Sequence, residues 1–326
     1  MQNTTPFKTY AMGLIAFVIL LPLLIHSQVL ATEILIFAMA AIGCNLLLGY
    51  SGLLSFGQSL FFGGGAYAAS ILSINFDVSL LTVIGFTLIV GIALAVLVGF
   101  FSIRRQGIYF VMITLAFGQL GYYAAFLAED FTGGEDGLLD VPRVALKLPF
   151  LPDVHFDTDI SFYILTSVLF VLSVMLMQLV VNSPFGSVLQ AIRQNENRAE
   201  AIGYRVKLYK IAIFAFSGAI TALSGALYAL MLNFAPLSNI DIEISETILF
   251  MCVLGGLGSI FGSIVGAAVF LLASDFLSEL WPRWMLILGF LVILVMLYAR
   301  GGLWASLMIM LERAKEILGI KEKHNV

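Results

Sequence analysis

From Ile34 to Phe76 the chain carries no Lys, Arg, Asp or Glu. At about 20 apolar residues per bilayer-spanning helix, that run is long enough to cross twice. Its second half is crowded with Gly49, Gly52, Gly57, Gly63, Gly64 and Gly65. Each glycine costs a helix roughly 1 kcal/mol relative to alanine, so this density implies close backbone approach or a helix broken beside a path. Charge-free runs along the rest of the chain predict helices at about 10–30, 34–50, 52–74, 79–102, 108–128, 160–181, 210–233 and 283–300. A further run, Thr247 to Ser274, holds Gly255, Gly256, Gly258, Gly262 and Gly266 in its middle.

Lys and Arg collect on the cytoplasmic side of membrane proteins. Arg104 and Arg105 share one short loop, Arg193, Arg198, Arg205, Lys207 and Lys210 a second, and Arg300, Arg313, Lys315, Lys321 and Lys323 mark the tail. By contrast, 129–159 carries Glu129, Asp130, Glu135, Asp136, Asp140, Asp153, Asp157 and Asp159 against Arg143 and Lys147. The reading is one transmembrane domain over 1–326, with both termini and the loop 182–209 cytoplasmic, 129–159 extracytoplasmic and 301–326 a cytoplasmic tail. Parity then bears on the glycine-rich run. A single crossing over 247–274 would put the basic tail outside. Two half-passes of about 13 residues, each too short to cross at 1.5 Å per residue, keep Asp275 and Glu279 outside and the tail inside. The expected fold is therefore an all-α polytopic membrane protein with about eight transmembrane helices and a Gly-rich re-entrant or broken hairpin. GYSG early and GGLG late occupy corresponding places in the two halves, suggesting an internal inverted repeat with a substrate path at its interface.

Composition agrees. The chain is 326 residues, 61% hydrophobic and 11% charged, where soluble domains carry about 25% charge. Lys8 before the apolar run 10–25 resembles a signal peptide, but an uncleaved first helix is the reading preferred. Cys44 and Cys252 lie in apolar runs as small buried residues, without metal-ligand spacing. His26, His155 and His324 share no motif, and P-loop, HExxH and GxSxG patterns are all missing. No catalytic residue, metal or cofactor is expected in this chain. The predicted spans carry no ionisable residue in their cores, which weakens proton-coupled transport; sodium coupling through backbone carbonyls stays open. Energy is expected from outside the chain.

Residues 183–203 show a docking element. Ser183-Pro184 starts a helix as N-cap and first-turn proline. Val188, Leu189, Ile192, Ala199 and Ile202 form an apolar side, and Gly203 stops it. Such a helix suits headgroups or a partner's groove equally. For the path, the candidates are Ser55, Gly57, Gln58 and Gly63 with Gly255, Gly256, Gly258 and Gly262; Thr114 and Gln119 are weaker ones. Helix packing explains any single glycine as well.

The segment SPFGSVLQAIRQNENRAEAIGYRVKLYKIAIFAFSGAITALSGALYA closely resembles the coupling region of LivM-type branched-chain amino acid ABC permeases. GYSGLLSFGQSLFFGGGAYAAS, RRQGIYFVMITLAFGQL, FTGGEDGL and LGGLGSIFGSIVGA complete the resemblance in order, from about residue 34 to 303. It implies the permease subunit of an ATP-driven importer in a bacterial or archaeal cytoplasmic (inner) membrane. Its partners would be a LivH-like permease, two ATP-binding cassette subunits that hold ATP and Mg, an extracytoplasmic substrate-binding protein and membrane lipid, with no nucleic acid. Glu200-Ala201-Ile202-Gly203 corresponds to the family's ATPase-docking element, Ile202 standing where alanine is usual. With Arg193, Glu196 and Arg198 these residues, Ile202 aside, make up the expected ATPase contact. Gly133, Gly134, Glu135, Asp136 and Gly137 match the outer glycine turn and are expected to dock the binding protein. Relatives of this fold also import urea, short amides or other small metabolites. A passive channel or ion-coupled carrier is the alternative of another class, and such proteins have no use for the coupling loop.

Overall fold

The computed structural model describes residues 7–25, 27–147, 153–299 and 301–317; His26 and His324 lie outside them. Its elements are α1 (Phe7–Leu24), α2 (Gln28–Asn45) running into a π turn (Leu46–Tyr50), α3 (Gln58–Asn75), α4 (Leu80–Ser102), α5 (Ile108–Leu127) and the short α6 (Glu129–Thr132). There follow α7 (Asp159–Asn182), α8 (Pro184–Gln194), α9 (Glu196–Ala201), α10 (Val206–Leu232), a 3-10 turn (Leu237–Ile240), α11 (Ile242–Gly255), α12 (Ile260–Leu280), α13 (Trp284–Tyr298) and α14 (Gly302–Ile317). The described residues contain isolated β-bridges and no strand.

Six of these are long and apolar enough to span a bilayer: α2 with its π turn, α4, α5, α7, α10 and α12. The sequence expectation of about eight is not reached by that measure. The apolar part of α1 is Gly13–Leu23, α3 starts at Gln58 rather than near 52, and α13 has 15 residues. Trp284–Tyr298 and Gly302–Met310, bent by 56°, add a seventh if counted as one span. Helix ends also differ from the charge-free runs, so Glu33 falls within α2 and Lys210 within α10.

Helix α10 is the hub, packed on α2, α3 and α4. Small residues make that possible. A Cβ on Gly65 would enter the backbone of Ala222, one on Gly225 the backbone of Phe62, and one on Gly91 would sit 2.9 Å from the Gly218 carbonyl. Lipid tails are as apolar as leucine, so such close contact, rather than exclusion of water, holds membrane helices together. Helix α1 is joined to α7 by one distinctive bond. Pro22 has no N–H to give the Val18 carbonyl four residues back, and the Tyr163 hydroxyl donates to that carbonyl at 2.6 Å.

The second glycine run breaks at 256–259, as expected, but its arms are unequal. Helix α11 has 14 residues, whereas α12 continues for 21 through Asp275 and Glu279, both exposed on its last turns. The acids end no helix because they face outward, so the second arm is long and apolar enough for a full span where a half-pass was expected. The expected tail likewise begins as α14, whose Trp304 stacks on Phe261 at 5.6 Å.

The loops sort by charge. At one end Gln106 donates to Glu196 (2.8 Å), Arg193 reaches Gly49, and Gly256 abuts Gly301 and Gly302. At the other, Leu138 pairs with Ala235, Leu80 N–H donates to Ala145, and Lys147 pairs with Asp77.

Candidate translocation and coupling site

The two glycine breaks meet. Asn45, the last residue of α2, donates through Nδ2 to the Ser259 carbonyl (2.8 Å) and Ser263 Oγ (2.6 Å), while its Oδ1 accepts from Gly258 N–H (2.9 Å). One buried amide thereby supplies the turn that Gly256 (φ 121°) and Gly258 (φ 81°) force out of helical conformation. Gly49 lies against it: a Cβ there would sit 2.5 Å from Gly258 N. The π turn that carries Gly49 is the kind of helix irregularity often found at functional sites.

The earlier break, 52–57, is answered differently. Gly52 has φ 73° and the chain is irregular from there to Gly57, bending at Phe56. Irregular backbone at membrane depth requires partners within the protein; Leu53 N–H donates to the Leu47 carbonyl (2.9 Å), and the other partners are side chains. Phe56 N–H donates to Thr114 Oγ1 (3.2 Å), Ser245 Oγ donates to the Phe56 carbonyl (2.8 Å) and accepts from Ser59 N–H (2.8 Å), and Gly57 N–H donates to Ser55 Oγ (3.2 Å). Thus Ser55, Gly57 and Thr114 are neighbours. Gln58 is fully buried, its amide donating to Ser217 (3.2 Å) and accepting from Thr221 (2.9 Å), with Ser217 passing its own proton to the Gly43 carbonyl.

The remaining path candidates are placed as follows. Gly63 lies against Ile240 with no room for a Cβ, and Gln119 is half-buried on α5. Gly255 and Gly262 hold α11 and α12 together, and Gly256 packs on Gly301. The first-half cluster reaches the second half through Ser245 on α11, and the second-half glycines reach the first through Asn45. Neither Asn45 nor Ser245 was singled out by sequence. Asn45 carried a signal, being a polar amide inside a charge-free run; a serine such as Ser245 carried none.

The loop 183–203 forms two helices rather than one. Asn195 (φ −161°, ψ 103°) separates them, and its side chain caps α9 by accepting from Arg198 N–H at 3.0 Å. Ile192, Ala199 and Val206 bury together against Val188 and Tyr209. Of the six expected ATPase-contact residues, two bond within the chain and five are exposed, Arg193 belonging to both groups. Glu196 is engaged inside the chain, paired with the buried Lys210 at 2.6 Å and held by Gln106; Arg193 donates to the Gly49 carbonyl. Arg198, Glu200, Ala201 and Gly203 are exposed, alongside exposed Ile202 and Tyr204. Gly203 takes φ 97° with open space where a Cβ would go. Between α8 and the breaks lies a crevice of about 480 Å³ lined by Gly49, Tyr50, Gln190, Arg193, Gln194, Leu257 and Gly258.

At the opposite end the turn 133–137 is fixed by glycines. Gly133, Gly134 and Gly137 have φ of 74°, 58° and 70°, and a Cβ on Gly137 would meet the Ala235 carbonyl at 2.5 Å. Thr132 Oγ1 closes the turn on the Ala125 carbonyl (2.5 Å), leaving Glu135 and Asp136 exposed. Arg143 anchors the following segment on Asp159 (3.1 Å), the Asp157 and Met231 carbonyls and the Phe162 ring.

A many-helix membrane bundle, broken at two joined glycine turns, is the architecture of a transport protein. The chain belongs to the family described as the branched-chain amino acid transport system / permease component, which it matches over residues 28–297. It is similar to the high-affinity branched-chain amino acid transport system permease protein LivM of Salmonella typhimurium and to that of Escherichia coli. Each is 26% identical over 321 residues, covering 92% of this chain and 76% of the relative. A probable branched-chain amino acid transport permease protein LivM of Methanocaldococcus jannaschii is 29% identical over 138 residues, 37% of this chain and 40% of the relative. No solved structure matches.

Proposed function

We propose that this chain is the membrane-spanning permease subunit of an ATP-binding cassette importer that moves branched-chain or related apolar amino acids into the cytoplasm. Its family and its LivM relatives support the substrate class. The observation that carries the coupling is the α8–α9 unit, whose Glu200–Tyr204 end is exposed while its Arg193 holds the Gly49 carbonyl beside both glycine breaks. In this reading the exposed end faces the cytoplasm and docks into an ATPase subunit. Two such subunits bind ATP and Mg, a LivH-like chain completes the permease pair, and an extracytoplasmic binding protein docks near Gly133–Gly137. Few ionisable groups in the spans suit a cargo that is neutral overall. Each CH₂ of an aliphatic side chain gains about 0.8 kcal/mol on leaving water, so an apolar passage accepts leucine-like solutes without a tight site.

The test is uptake of labelled leucine by cells that carry the partner genes and no other leucine system. Deleting this chain should abolish saturable uptake. Glu200→Lys and Gly203→Trp should do the same while the protein still inserts and its partners assemble. Unchanged uptake in the deletion strain overturns the substrate assignment, and full uptake by both variants overturns the docking assignment.

A further inference from the structure

Three buried side chains without a hydrogen-bond partner lie along one seam. Ser59 Oγ, Tyr67 Oη and Asn239 Nδ2 meet no protein acceptor or donor, and their residues are 1%, 5% and 2% exposed. Other unpartnered hydroxyls, on Thr87, Ser102, Thr166 and Ser167, are scattered over α4 and α7. Ser59, Gly63 and Tyr67 follow one another at four-residue spacing, on one face of α3 with about 6 Å of rise between each. Asn239 stands level with the middle position, since a Cβ on Gly63 would lie 3.0 Å from its carbonyl carbon. Helix α5 closes the seam from the side. The Cβ position of Gly118 is 3.8 Å from Ser59 Oγ, and that of Gly121 is 3.7 Å from Ile240. That helix is lightly held, its buried residues being Phe110, Thr114, Gly118 and Ala125, a single stripe.

Buried polar groups are nearly always hydrogen-bonded, and leaving one unmade is costly. A row of three beneath a thinly packed helix is a place where something else completes the bonds. We propose that the α3–α5 seam is a substrate subsite of the translocation path, and that it takes the carboxylate and ammonium of an aliphatic α-amino acid once α5 moves aside. The Asn239 amide donates to the carboxylate, while the Ser59 and Tyr67 hydroxyls donate or accept as each group requires. Leu60, Leu237 and Ile240, packed at the same seam, receive the aliphatic side chain. Ser59, Tyr67 and Asn239 themselves bring no full charge to the zwitterion, which suits brief residence. This subsite rests on the amino acid importer reading; of the earlier path candidates it includes Gly63 but not Gln58 and Thr114, which spend their hydrogen bonds inside the protein.

Tyr67→Phe and Ser59→Ala remove only the unpartnered hydroxyls, so in the absence of cargo they should leave the folded chain as stable as before or more so. In the assembled transporter each should lower the rate of labelled leucine uptake about fivefold, the worth of one hydrogen bond, and the double variant more. The thermal midpoint of the purified chain should be unchanged or higher. Uptake within about twofold of wild type in the double variant overturns the subsite. So does a fall in uptake matched by a fall in thermal midpoint, which marks the hydroxyls as structural. An unsubstituted assembly that takes up no leucine overturns the importer reading and the subsite with it, whereas normal wild-type uptake with insensitive variants sinks the subsite alone.

Discussion

The two glycine breaks solve one problem in opposite ways. At 256–259 the chain turns sharply, the glycines absorb positive φ, and a single side chain, Asn45, serves Gly258 N–H and the Ser259 carbonyl together. At 52–57 the chain is irregular, and its backbone groups are shared among the Leu47 carbonyl, Ser55 within the break, Thr114 on α5 and Ser245 on α11. The first arrangement concentrates its support in one residue, and the second distributes it. The first is a pivot on one residue and fails if that residue is lost; the second keeps part of its support when any one partner is lost.

Asn45→Ala tests the contrast most severely. It strips three partners at once, the Gly258 N–H, the Ser259 carbonyl and Ser263 Oγ, at about 1 kcal/mol each, so unfolding in detergent should show a loss of about 3 kcal/mol. Ser245→Ala removes the partners of Phe56 C=O and Ser59 N–H, but Thr114 and Ser55 still hold their neighbours. A smaller loss, about 1–2 kcal/mol, is expected by the same measurement, and a loss equal to that of Asn45→Ala would erase the distinction. Ser263→Ala takes only a side-chain bond from Asn45, which keeps both backbone contacts. Interhelical bonds of that kind average about 0.6 kcal/mol in membranes, and a loss above about 2 kcal/mol would show that Ser263, not the backbone, carries the pivot.

Much of this architecture was legible in the order of residues. Uninterrupted apolar runs located the helices because a bilayer demands length and hydropathy from each span separately. The glycines marked both breaks, since positive φ and missing Cβ atoms leave few alternatives. What sequence could not supply was which distant side chain answers each break. Asn45 to Ser263 and Phe56 to Ser245 are contacts across the whole chain, and a lone serine looks the same in a seam as in a helix face. Two misjudged boundaries share a cause. Asp275 and Glu279 resembled a helix end, and Asn195 was overlooked as one, because charge reports exposure whereas capping reports conformation. For the expected ATPase contact, the geometry adds that Arg193 and Glu196 bond within the chain, Arg193 remaining exposed as Arg198, Glu200, Ala201 and Gly203 are.

The bond from Tyr163 to the Val18 carbonyl has a consequence for biosynthesis. Helix α1 leaves the ribosome well over a hundred residues ahead of α7, carrying a carbonyl that its own proline has stripped of a donor. Until the seventh helix is inserted, that oxygen must borrow from water or lipid headgroups, at a cost of several kcal/mol if it sinks into hydrocarbon. Within this chain the partner of that oxygen is Tyr163, so the bond forms only after the seventh helix has been made and packed against the first.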